Sequence, residues 1–274
     1  MPGFRFVRAD LLDPSSLDED FFRVDAIFHM AANPEVRHST RDPLDHYHQN
    51  VTATMNALER ARRLGARLFV FASSSTVYGD AEIIPTPEDH PLRPISVYGA
   101  TKAAGEILCQ TYSRLYGLKC LVLRYANIIG PRLKHGVIYD FINKLRSNSE
   151  ELEILGDGSQ RKSYLYIDDA VDATIKAFEK MLGSDAVEEV YNIGNKDWVT
   201  VIEIADIVTK AMGLRGVRYR FSPATPDGRG WPGDVKLMLL DISRLEKRIG
   251  WIPSLSSRDA VIRTAAEMIA DMYG

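Results

Sequence analysis

The sequence is poor in the features that mark secreted, membrane-spanning and nucleic-acid-binding proteins. Its 274 residues include two cysteines, Cys109 and Cys120, in apolar segments without Cys-x-x-Cys spacing. This excludes a disulfide scaffold and predicts buried thiols in a reducing compartment. No apolar run approaches the roughly 20 residues of a membrane span, and the first residues do not resemble a signal peptide. The net charge is −3, without a long run of one sign. Nucleic acid and membrane surfaces are therefore not expected partners, and we expect a cytoplasmic protein.

Histidine is scarce and scattered, which argues against a metal centre. Of the six histidines, His46 and His48 are two positions apart on a predicted helix, so they point to different faces. The other four stand alone, and a lone histidine more often satisfies a local hydrogen bond than binds a metal. We predict no metal.

Short runs rich in Val, Ile and Phe alternate with long amphipathic segments, which is typical of βα units over a parallel sheet. The pattern predicts strands over residues 4–8, 26–31, 67–72, 119–125 and 190–193. It predicts helices over residues 43–64, 97–116, 137–146, 169–182 and 201–212, and a closing helix over 255–273. Beyond about Ile128 the elements shorten and turn residues multiply. We therefore expect a nucleotide-binding α/β sheet followed by a smaller substrate-binding portion.

Tyr98 and Lys102 form a Tyr-x-x-x-Lys pair on a predicted helix, and Ser74 lies upstream where a predicted strand ends. A free tyrosine has a pKa near 10 and is a poor base at neutral pH. A lysine four residues later shares its helical face, and its positive charge favours the phenolate. A serine hydroxyl opposite could hold a substrate oxygen while its proton leaves. By itself the pair is weak evidence, because a surface contact between helical neighbours has the same spacing.

Ten segments, taken in order, resemble the extended short-chain dehydrogenase/reductase family, and within it the nucleotide-sugar epimerases of the UDP-galactose 4-epimerase type. They are His29-Met30-Ala31-Ala32, Ser73 to Gly79, Tyr98 to Lys102, Arg124-Tyr125-Ala126-Asn127, Gly130-Pro131-Arg132, Gly156-Asp157-Gly158, Tyr166-Ile167-Asp168-Asp169, Tyr191-Asn192-Ile193-Gly194, Pro232-Gly233-Asp234 and Gly250-Trp251. The resemblance implies a Rossmann-like doubly wound parallel sheet, and it implies NAD as the cofactor.

The resemblance also implies roles for single residues. Tyr98 is expected to be the catalytic base, Ser74 to share the substrate O4 proton, and Lys102 to lower the Tyr98 pKa and hold the nicotinamide ribose. The expected cofactor-binding residues are Asp10, Leu11, Ala31, Ala32, Asn50, Tyr98, Lys102 and Tyr125. The expected substrate-binding residues are Ser74, Ser75, Thr76, Asn127, Lys162, Arg229, Asp234 and Met238. Lys162 and Trp231 stand where the family commonly has arginines, so Arg229 is expected to take over the diphosphate contact.

The position after Ser74 separates two reactions of the family. Related dehydratases resemble Thr-Asp-Glu here, because eliminating water needs an acid and a base near the sugar's C5 and C6. This chain has Ser74-Ser75-Thr76 and no carboxylate, which favours epimerisation. The implied reaction is reversible oxidation at C4 of UDP-galactose or UDP-glucose, rotation of the 4-keto sugar and return of hydride to the opposite face.

The family's Gly-x-x-Gly-x-x-Gly motif is absent from the sequence, as is the acidic residue about 20 positions later. The chain begins at what resembles the third strand, so we expect an N-terminal βαβ unit to be missing, most simply through truncation. Two alternatives stay open: another reductase or epimerase of nucleotide sugars, or a cofactor-free remnant without activity.

The expected organisation is an NAD-binding domain over residues 1–127, to which 164–194 returns, and a nucleotide-sugar-binding domain mainly over 128–274. A homodimer through a helix pair is compatible with apolar Ala103, Ile107 and Leu108, which are equally compatible with core packing.

Overall fold

The structure, a computed structural model, describes residues 3–17 and 24–273, where short strands alternate with helices. The strands are β1 (Ala26–His29), β2 (Leu68–Ser74), β3 (Lys119–Tyr125), β4 (Asn127–Ile129), β5 (Glu151–Leu155), β6 (Arg161–Lys162), β7 (Tyr164–Tyr166), β8 (Glu188–Ile193), β9 (Val199–Thr200), β10 (Arg218–Ser222) and β11 (Leu237–Met238). The helices are α1 (Pro43–His46), α2 (Ala53–Arg63), α3 (Val97–Tyr116), α4 (Val137–Ser147), α5 (Ile167–Leu182), α6 (Val201–Ala211), α7 (Ser243–Ile249) and α8 (Ser257–Tyr273). A π-helical turn, Tyr47–Thr52, joins α1 to α2, and 3₁₀ turns occupy Pro14–Leu17, His38–Thr40 and Ser75–Tyr78.

The central sheet has four parallel strands in the order β1-β2-β3-β8. Side chains alternate between its faces because successive residues of a strand point in opposite directions. One face packs on α2 and α3, and the other packs on α5. Helices on both faces of a parallel sheet make a doubly wound α/β fold, which confirms the predicted fold class.

Smaller sheets and a second hydrophobic core follow the central sheet. Strands β5 and β10 pair in parallel, β4 pairs with β7, and β6 lies between β11 and β9. The second core packs α4, α6 and α8 around β5. Apolar residues of α5 and β8 pack in the first core instead, whereas Tyr164 and Tyr166 of β7 pack in the second, so the predicted return of 164–194 to the first domain stays a prediction. The domain boundary itself stays a prediction. Residues 238–251 also reach the first core through Met238, Leu245 and Trp251, which the sequence did not predict.

The predicted strand over residues 4–8 is wrong. These residues form no strand, and Phe4 and Phe6 are 73% and 77% exposed. A strand exists only when its backbone groups bond to a neighbouring strand, and no strand in the described ranges pairs with this segment.

The other predicted strands and helices are found, with ends that move by a few residues. The helix predicted over 43–64 is not continuous, because the π-helical turn Tyr47–Thr52 divides it into α1 and α2. Helix α3 ends at Gly117, whose φ of +67° is the left-handed cap conformation that glycine adopts without strain. None of the helices in residues 3–17 and 24–273 combines the length and hydropathy that a membrane-spanning helix requires.

Candidate active site

A cavity of about 770 Å³ opens at the carboxyl ends of β2 and β3. Ligands of doubly wound sheets bind at this edge, because the loops that follow the parallel strands converge there. The lining includes residues from both hydrophobic cores, so the cavity lies between the central sheet and the second portion of the chain. Its lining includes Ala32, Arg37, Ser74, Ser75, Thr76, Tyr98, Lys102, Tyr125, Asn127, Arg132, His135, Gln160, Lys162, Trp231, Asp234 and Met238.

Ser74 is the last residue of β2 and caps the 3₁₀ turn Ser75–Tyr78. Its Oγ accepts hydrogen bonds from the Thr76 backbone N at 3.2 Å and from the Thr76 Oγ1 at 3.0 Å. Both bonds use the oxygen as acceptor, so the Ser74 proton stays available to a group in the cavity.

Tyr98 reaches Ser74 because the start of α3 lies very close to the turn after β2. The Ser96 side chain caps α3 by accepting from the Gly99 N at 3.0 Å. A Cβ built on Gly99 would lie 2.6 Å from the Thr76 carbonyl oxygen, so only glycine permits this approach. Further along α3, a Cβ on Gly105 would lie 2.4 Å from the Phe71 ring. Two glycines therefore set the distance of α3 from β2.

Burial dominates the acidity of Tyr98. It raises the Tyr98 pKa to about 12, while the hydrogen bond with Ser74 lowers it. The Lys102 Nζ lies 5.9 Å from the centre of the Tyr98 ring. Lys102 is not among the causes of this shift, which are desolvation of the phenolate and the bond with Ser74, so the expectation that Lys102 lowers the Tyr98 pKa stays a prediction.

Lys102 is buried one helical turn beyond Tyr98. Its Nζ donates to the Ala72 carbonyl oxygen at 2.7 Å and lies 5.2 Å from the centre of the Phe71 ring. An ammonium has three N–H donors, so this bond leaves donors for a ligand's hydroxyls. Burial lowers the Lys102 pKa from 10.5 to about 8. Nearby His29 bonds through Nε2 to Thr54 Oγ1 at 2.9 Å. Burial and, secondarily, the charge of Lys102 lower the His29 pKa to about 4, so His29 is neutral at pH 7.

Replacing Lys102 with methionine is expected to stabilise the fold at neutral pH. Between about pH 8 and 10.5 the unfolded lysine binds more protons than the folded one, so wild-type stability rises with pH across this window. Below pH 8 the cost of burying the charge is fully present, and methionine removes it. The expected gain is up to roughly 3 kcal/mol at pH 7, reduced by the lost hydrogen bond to Ala72.

The measurement is the free energy of unfolding of both proteins from pH 7 to pH 10.5. The advantage of Lys102→Met should shrink as the pH rises through the window. Lys176→Met is the matched control, since Lys176 lies half-exposed on α5 beside Asp172. A Lys102→Met variant whose difference from wild type does not change with pH would contradict the assigned cause.

A buried charged network lies beneath Ser74 and joins β2, β3, β8 and α3. Glu106 of α3 is 0% exposed and Arg124 of β3 is 4% exposed. Arg124 Nη2 donates to Glu106 Oε2 at 2.7 Å, and Ser73 Oγ donates to Glu106 Oε1. Arg124 Nη1 donates to the Tyr78 hydroxyl at 2.8 Å, which donates to Asn192 Oδ1 at 2.7 Å. The network therefore holds Ser73, which precedes Ser74, and Tyr78, which ends the turn after Ser74. Through Glu106 it also holds α3, the helix that carries Tyr98.

The structure separates the predicted cofactor residues into two groups. Ala32, Tyr98, Lys102 and Tyr125 line the cavity, whereas Asp10, Leu11, Ala31 and Asn50 do not. Asp10 Oδ1 accepts from the Leu12 N at 2.9 Å, and the Leu11 carbonyl accepts from Asn56 on α2 at 2.8 Å. They therefore lie on a loop outside the cavity.

Asn50 is buried in the π-helical turn and holds a loop. Its Oδ1 accepts from the Asn33 N at 2.7 Å, and its Nδ2 donates to Thr101 Oγ1 of α3 at 3.0 Å. π-helical turns are often found at functional sites. Here the turn places an asparagine that joins the loop after β1 to the helix of Tyr98.

Most predicted substrate residues share the cavity with Ser74 and Tyr98. Ser75, Thr76, Asn127, Lys162, Asp234 and Met238 all line it. Asn127 Nδ2 donates to the Ser163 carbonyl at 3.0 Å. Lys162 Nζ donates to Asp234 Oδ1 at 2.7 Å, so these two opposite charges form an ion pair.

The structure does not bring Arg229 to the cavity lining, so its predicted diphosphate contact stays a prediction that the geometry does not support. Its guanidinium bonds to Asp80 at 2.9 and 3.0 Å, to Asp227 at 2.6 Å and to the Asp234 carbonyl at 2.5 Å. Arg229 does not line the cavity. In the chain alone, the carboxylates of Asp80 and Asp227 neutralise this side chain.

Two cationic residues in the lining had no predicted role. Arg37 follows the Ala31-Ala32 segment, and Arg132 belongs to Gly130-Pro131-Arg132, so both lie in or beside motifs of the resemblance. Arg132 has a φ of +64°, which is uncommon for a residue other than glycine. Nothing in a single sequence distinguishes such loop arginines from solvated surface charges. Among the described residues, no group of three or more His, Cys, Asp or Glu residues could hold a metal ion.

The chain is similar to known UDP-sugar 4-epimerases over almost its whole length. A UDP-galactose 4-epimerase of known structure is 51% identical, with a TM-score of 0.87, covering 97% of this chain and 83% of that chain. The Thermus thermophilus UDP-glucose 4-epimerase, solved in complex with NAD, is 30% identical with a TM-score of 0.84, covering 97% and 85% of the two chains. The UDP-glucose 4-epimerase of Mycolicibacterium smegmatis is 32% identical, covering 95% of this chain and 82% of the relative.

The family model described as the NAD dependent epimerase/dehydratase family matches residues 2–194. This range contains the central sheet, Ser74, Tyr98 and Lys102. The chain belongs to the NAD dependent epimerase/dehydratase family.

Proposed function

We propose that this protein catalyses the reversible 4-epimerisation of a UDP-hexose, interconverting UDP-galactose and UDP-glucose, with NAD as its cofactor. The observation that carries the proposal is the convergence of Ser74, Tyr98 and Lys102 on one wall of a cavity. The similarity to UDP-galactose and UDP-glucose 4-epimerases supports the same conclusion.

The residues at the nicotinamide end fit an NAD molecule. Lys102 keeps free N–H donors for ribose hydroxyls, while Ala32 and Tyr125 provide a small and a flat apolar surface. The Tyr125 hydroxyl is engaged with Thr174 Oγ1 at 2.6 Å, so the ring is held in place. When bound, NAD supplies a hydride acceptor that returns the hydride at the end of the cycle.

The chain's own groups handle the proton. Tyr98 takes the proton of the sugar 4-hydroxyl and gives it back to the epimer. Ser74 donates its hydroxyl proton toward the same oxygen, since Thr76 occupies the acceptor side of its Oγ. The buried ammonium of Lys102 favours the phenolate. Ser75 and Thr76 follow where a dehydratase needs carboxylates, so elimination of water has no acid–base pair here.

The far end of the cavity is assigned to the nucleotide sugar. Asn127 is expected to contact the phosphates, Asp234 a ribose hydroxyl, and Met238 the space beside the sugar. Methionine is flexible, so a 2-acetamido sugar is neither required nor rejected by this residue. Lys162, paired with Asp234, contributes a donor but little net charge.

A homodimer and a cytoplasmic location are part of the proposal. On α3, Ala103 is buried and Leu108 is partly buried, whereas Ile107 is 57% exposed. Of these three residues, Ile107 is the one whose side chain is not covered by the core and is therefore free to contact a second copy. Both cysteines are free and buried, as expected in a reducing compartment.

The test measures cofactor and turnover separately. The purified protein is denatured and the released NAD is quantified, then native protein with excess NAD is given UDP-galactose, UDP-glucuronate or UDP-N-acetylgalactosamine. We expect bound NAD and fastest conversion of UDP-galactose to UDP-glucose. An NAD-loaded protein that leaves UDP-galactose unchanged would refute the proposed substrate, and failure to bind NAD would favour the cofactor-free alternative.

A further inference from the structure

Arg37 lies in the cavity lining, and the catalytic proposal does not use it. Its side chain is exposed, and its guanidinium carbon lies 5.6 Å from the centre of the Trp231 ring. Lys162 Nζ lies 5.4 Å from the centre of the same ring. Trp231 is therefore an aromatic surface shared by two cations at the nucleotide end of the cavity.

The cations nearest to this end are otherwise neutralised. Arg229 is paired with Asp80 and Asp227, and Lys162 is paired with Asp234 at 2.7 Å. Trp231 itself carries no charge at the position where the resemblance leads one to expect an arginine. A nucleoside diphosphate carries negative charge on both phosphates, and these residues provide almost no net positive charge to balance it.

Arg37 is a cavity-lining cation with no ion pair among the described residues. Arg132 is another, but among the described residues no hydrogen bond or cation–π contact joins it to Trp231, and it lies on the separate loop after β4. Glu35 also lines the cavity and forms no ion pair within the described ranges, so it does not neutralise the Arg37 guanidinium. Arginine suits a diphosphate, because its planar fork can donate two parallel hydrogen bonds to phosphate oxygens while its face stacks on an aromatic ring.

The loop that carries Arg37 is anchored to the catalytic helix. The Glu35 N donates to Asn33 Oδ1 at 3.1 Å, and the Asn33 N donates to Asn50 Oδ1 at 2.7 Å. Asn50 in turn donates to Thr101, the residue before Lys102. The backbone that positions Arg37 is therefore ordered relative to Tyr98 before a ligand binds, which lowers the entropy cost of binding.

We propose that Arg37, stacked on Trp231, binds the diphosphate of the nucleotide sugar. It supplies the positive charge that an arginine at position 231 would otherwise provide. This assignment rests on the proposed function, since it names the residue that holds the substrate's diphosphate. It makes Arg37 a binding residue for the nucleoside diphosphate portion and leaves proton transfer to Tyr98.

The test compares the binding of UDP and of uridine by calorimetry, with excess NAD in the buffer. Arg37→Ala is expected to weaken UDP binding by roughly 10- to 100-fold, the loss typical of a hydrogen-bonded charge. Uridine affinity should change by less than about twofold, because uridine has no phosphate. Arg37→Lys should recover part of the UDP affinity. Arg41→Ala removes an exposed arginine four residues away that does not line the cavity, and its UDP affinity should match that of wild type.

Each other outcome has a distinct meaning. UDP affinity within twofold of wild type in Arg37→Ala would overturn the assignment, as would an equal loss of uridine affinity, which indicates a displaced loop. Wild-type protein that binds UDP tightly through Arg37 but does not turn over UDP-galactose would refute the proposed function and leave this assignment standing. Wild-type protein without measurable UDP affinity would overturn both.

Discussion

Tyr98→Phe is expected to lower kcat for epimerisation by at least about 10³-fold, within the range that a positioned acid–base group contributes. The variant loses the oxygen that takes the proton of the 4-hydroxyl, and no other titratable group is hydrogen-bonded to Ser74 among the described residues. The ring stays, so packing at the start of α3 is preserved. Affinity for UDP should remain within about threefold of wild type, because UDP lacks the hexose whose 4-hydroxyl Tyr98 contacts.

The matched control is Tyr116→Phe, the same change in the last turn of the same helix, at a side chain that is half exposed. It should keep kcat within about twofold. Single-turnover measurements with UDP-galactose separate the chemical step from product release. A Tyr98→Phe protein with kcat close to wild type would exclude Tyr98 as the base.

The pH dependence of kcat gives the same assignment an independent test. With a pKa of about 12 in the chain alone, Tyr98 is phenolic at neutral pH, with a phenolate fraction on the order of 10⁻⁵ at pH 7. Activity that needs the phenolate should therefore rise as the pH increases below the Tyr98 pKa. A positive charge near Tyr98 when cofactor is bound lowers the Tyr98 pKa. The rise of kcat then occurs at lower pH. The residual rate of Tyr98→Phe should lack this rise.

Glu106→Ala is expected to destabilise the fold by roughly 3–5 kcal/mol, the usual cost of leaving a buried charge without its partner. Arg124 would keep its guanidinium at 4% exposure with only neutral acceptors, the Tyr78 hydroxyl and the Glu88 carbonyl. Ser73 would lose its acceptor beside Ser74. Stability and the geometry of the Ser74 turn should therefore be affected together.

Thermal unfolding measures the effect, and at 2–4 °C per kcal/mol for a chain of this size Tm should fall by roughly 10 °C. Glu246→Ala is the control, because its pair with Lys196 lies at the surface and such pairs contribute about 1 kcal/mol or less. The double variant Glu106→Leu, Arg124→Met should recover much of the loss, since it removes both charges. A fall in Tm no larger than that of Glu246→Ala would show that the pair does not carry the expected energy.

Local patterns were sufficient to predict most of the fold. Alternating apolar runs predicted β1, β2, β3 and β8, and the long amphipathic segments predicted α3 to α6. These elements are visible in one sequence because each buries a continuous face and therefore carries its own period. Strands of two to five residues such as β6, β9 and β10 have too few positions to show a period. They form because neighbouring segments supply their hydrogen-bond partners.

The sequence alone supplied the candidate residues for proton transfer, because Tyr-x-x-x-Lys spacing places both side chains on one helical face and the family resemblance implies their roles. The pKa values of Tyr98 and Lys102 could not be predicted from the sequence, because desolvation depends on which residues cover a side chain in the folded protein. Arg229 shows the same limit, since two carboxylates from distant and near positions neutralise it only after folding. Arg37 shows the reverse, because a loop arginine becomes a cavity residue only when Asn50 holds its loop through Asn33 and Trp231 is brought beside it. The sequence determined the chemistry available to this protein, and tertiary structure decided which charges remain free to use it, because burial and pairing are long-range properties.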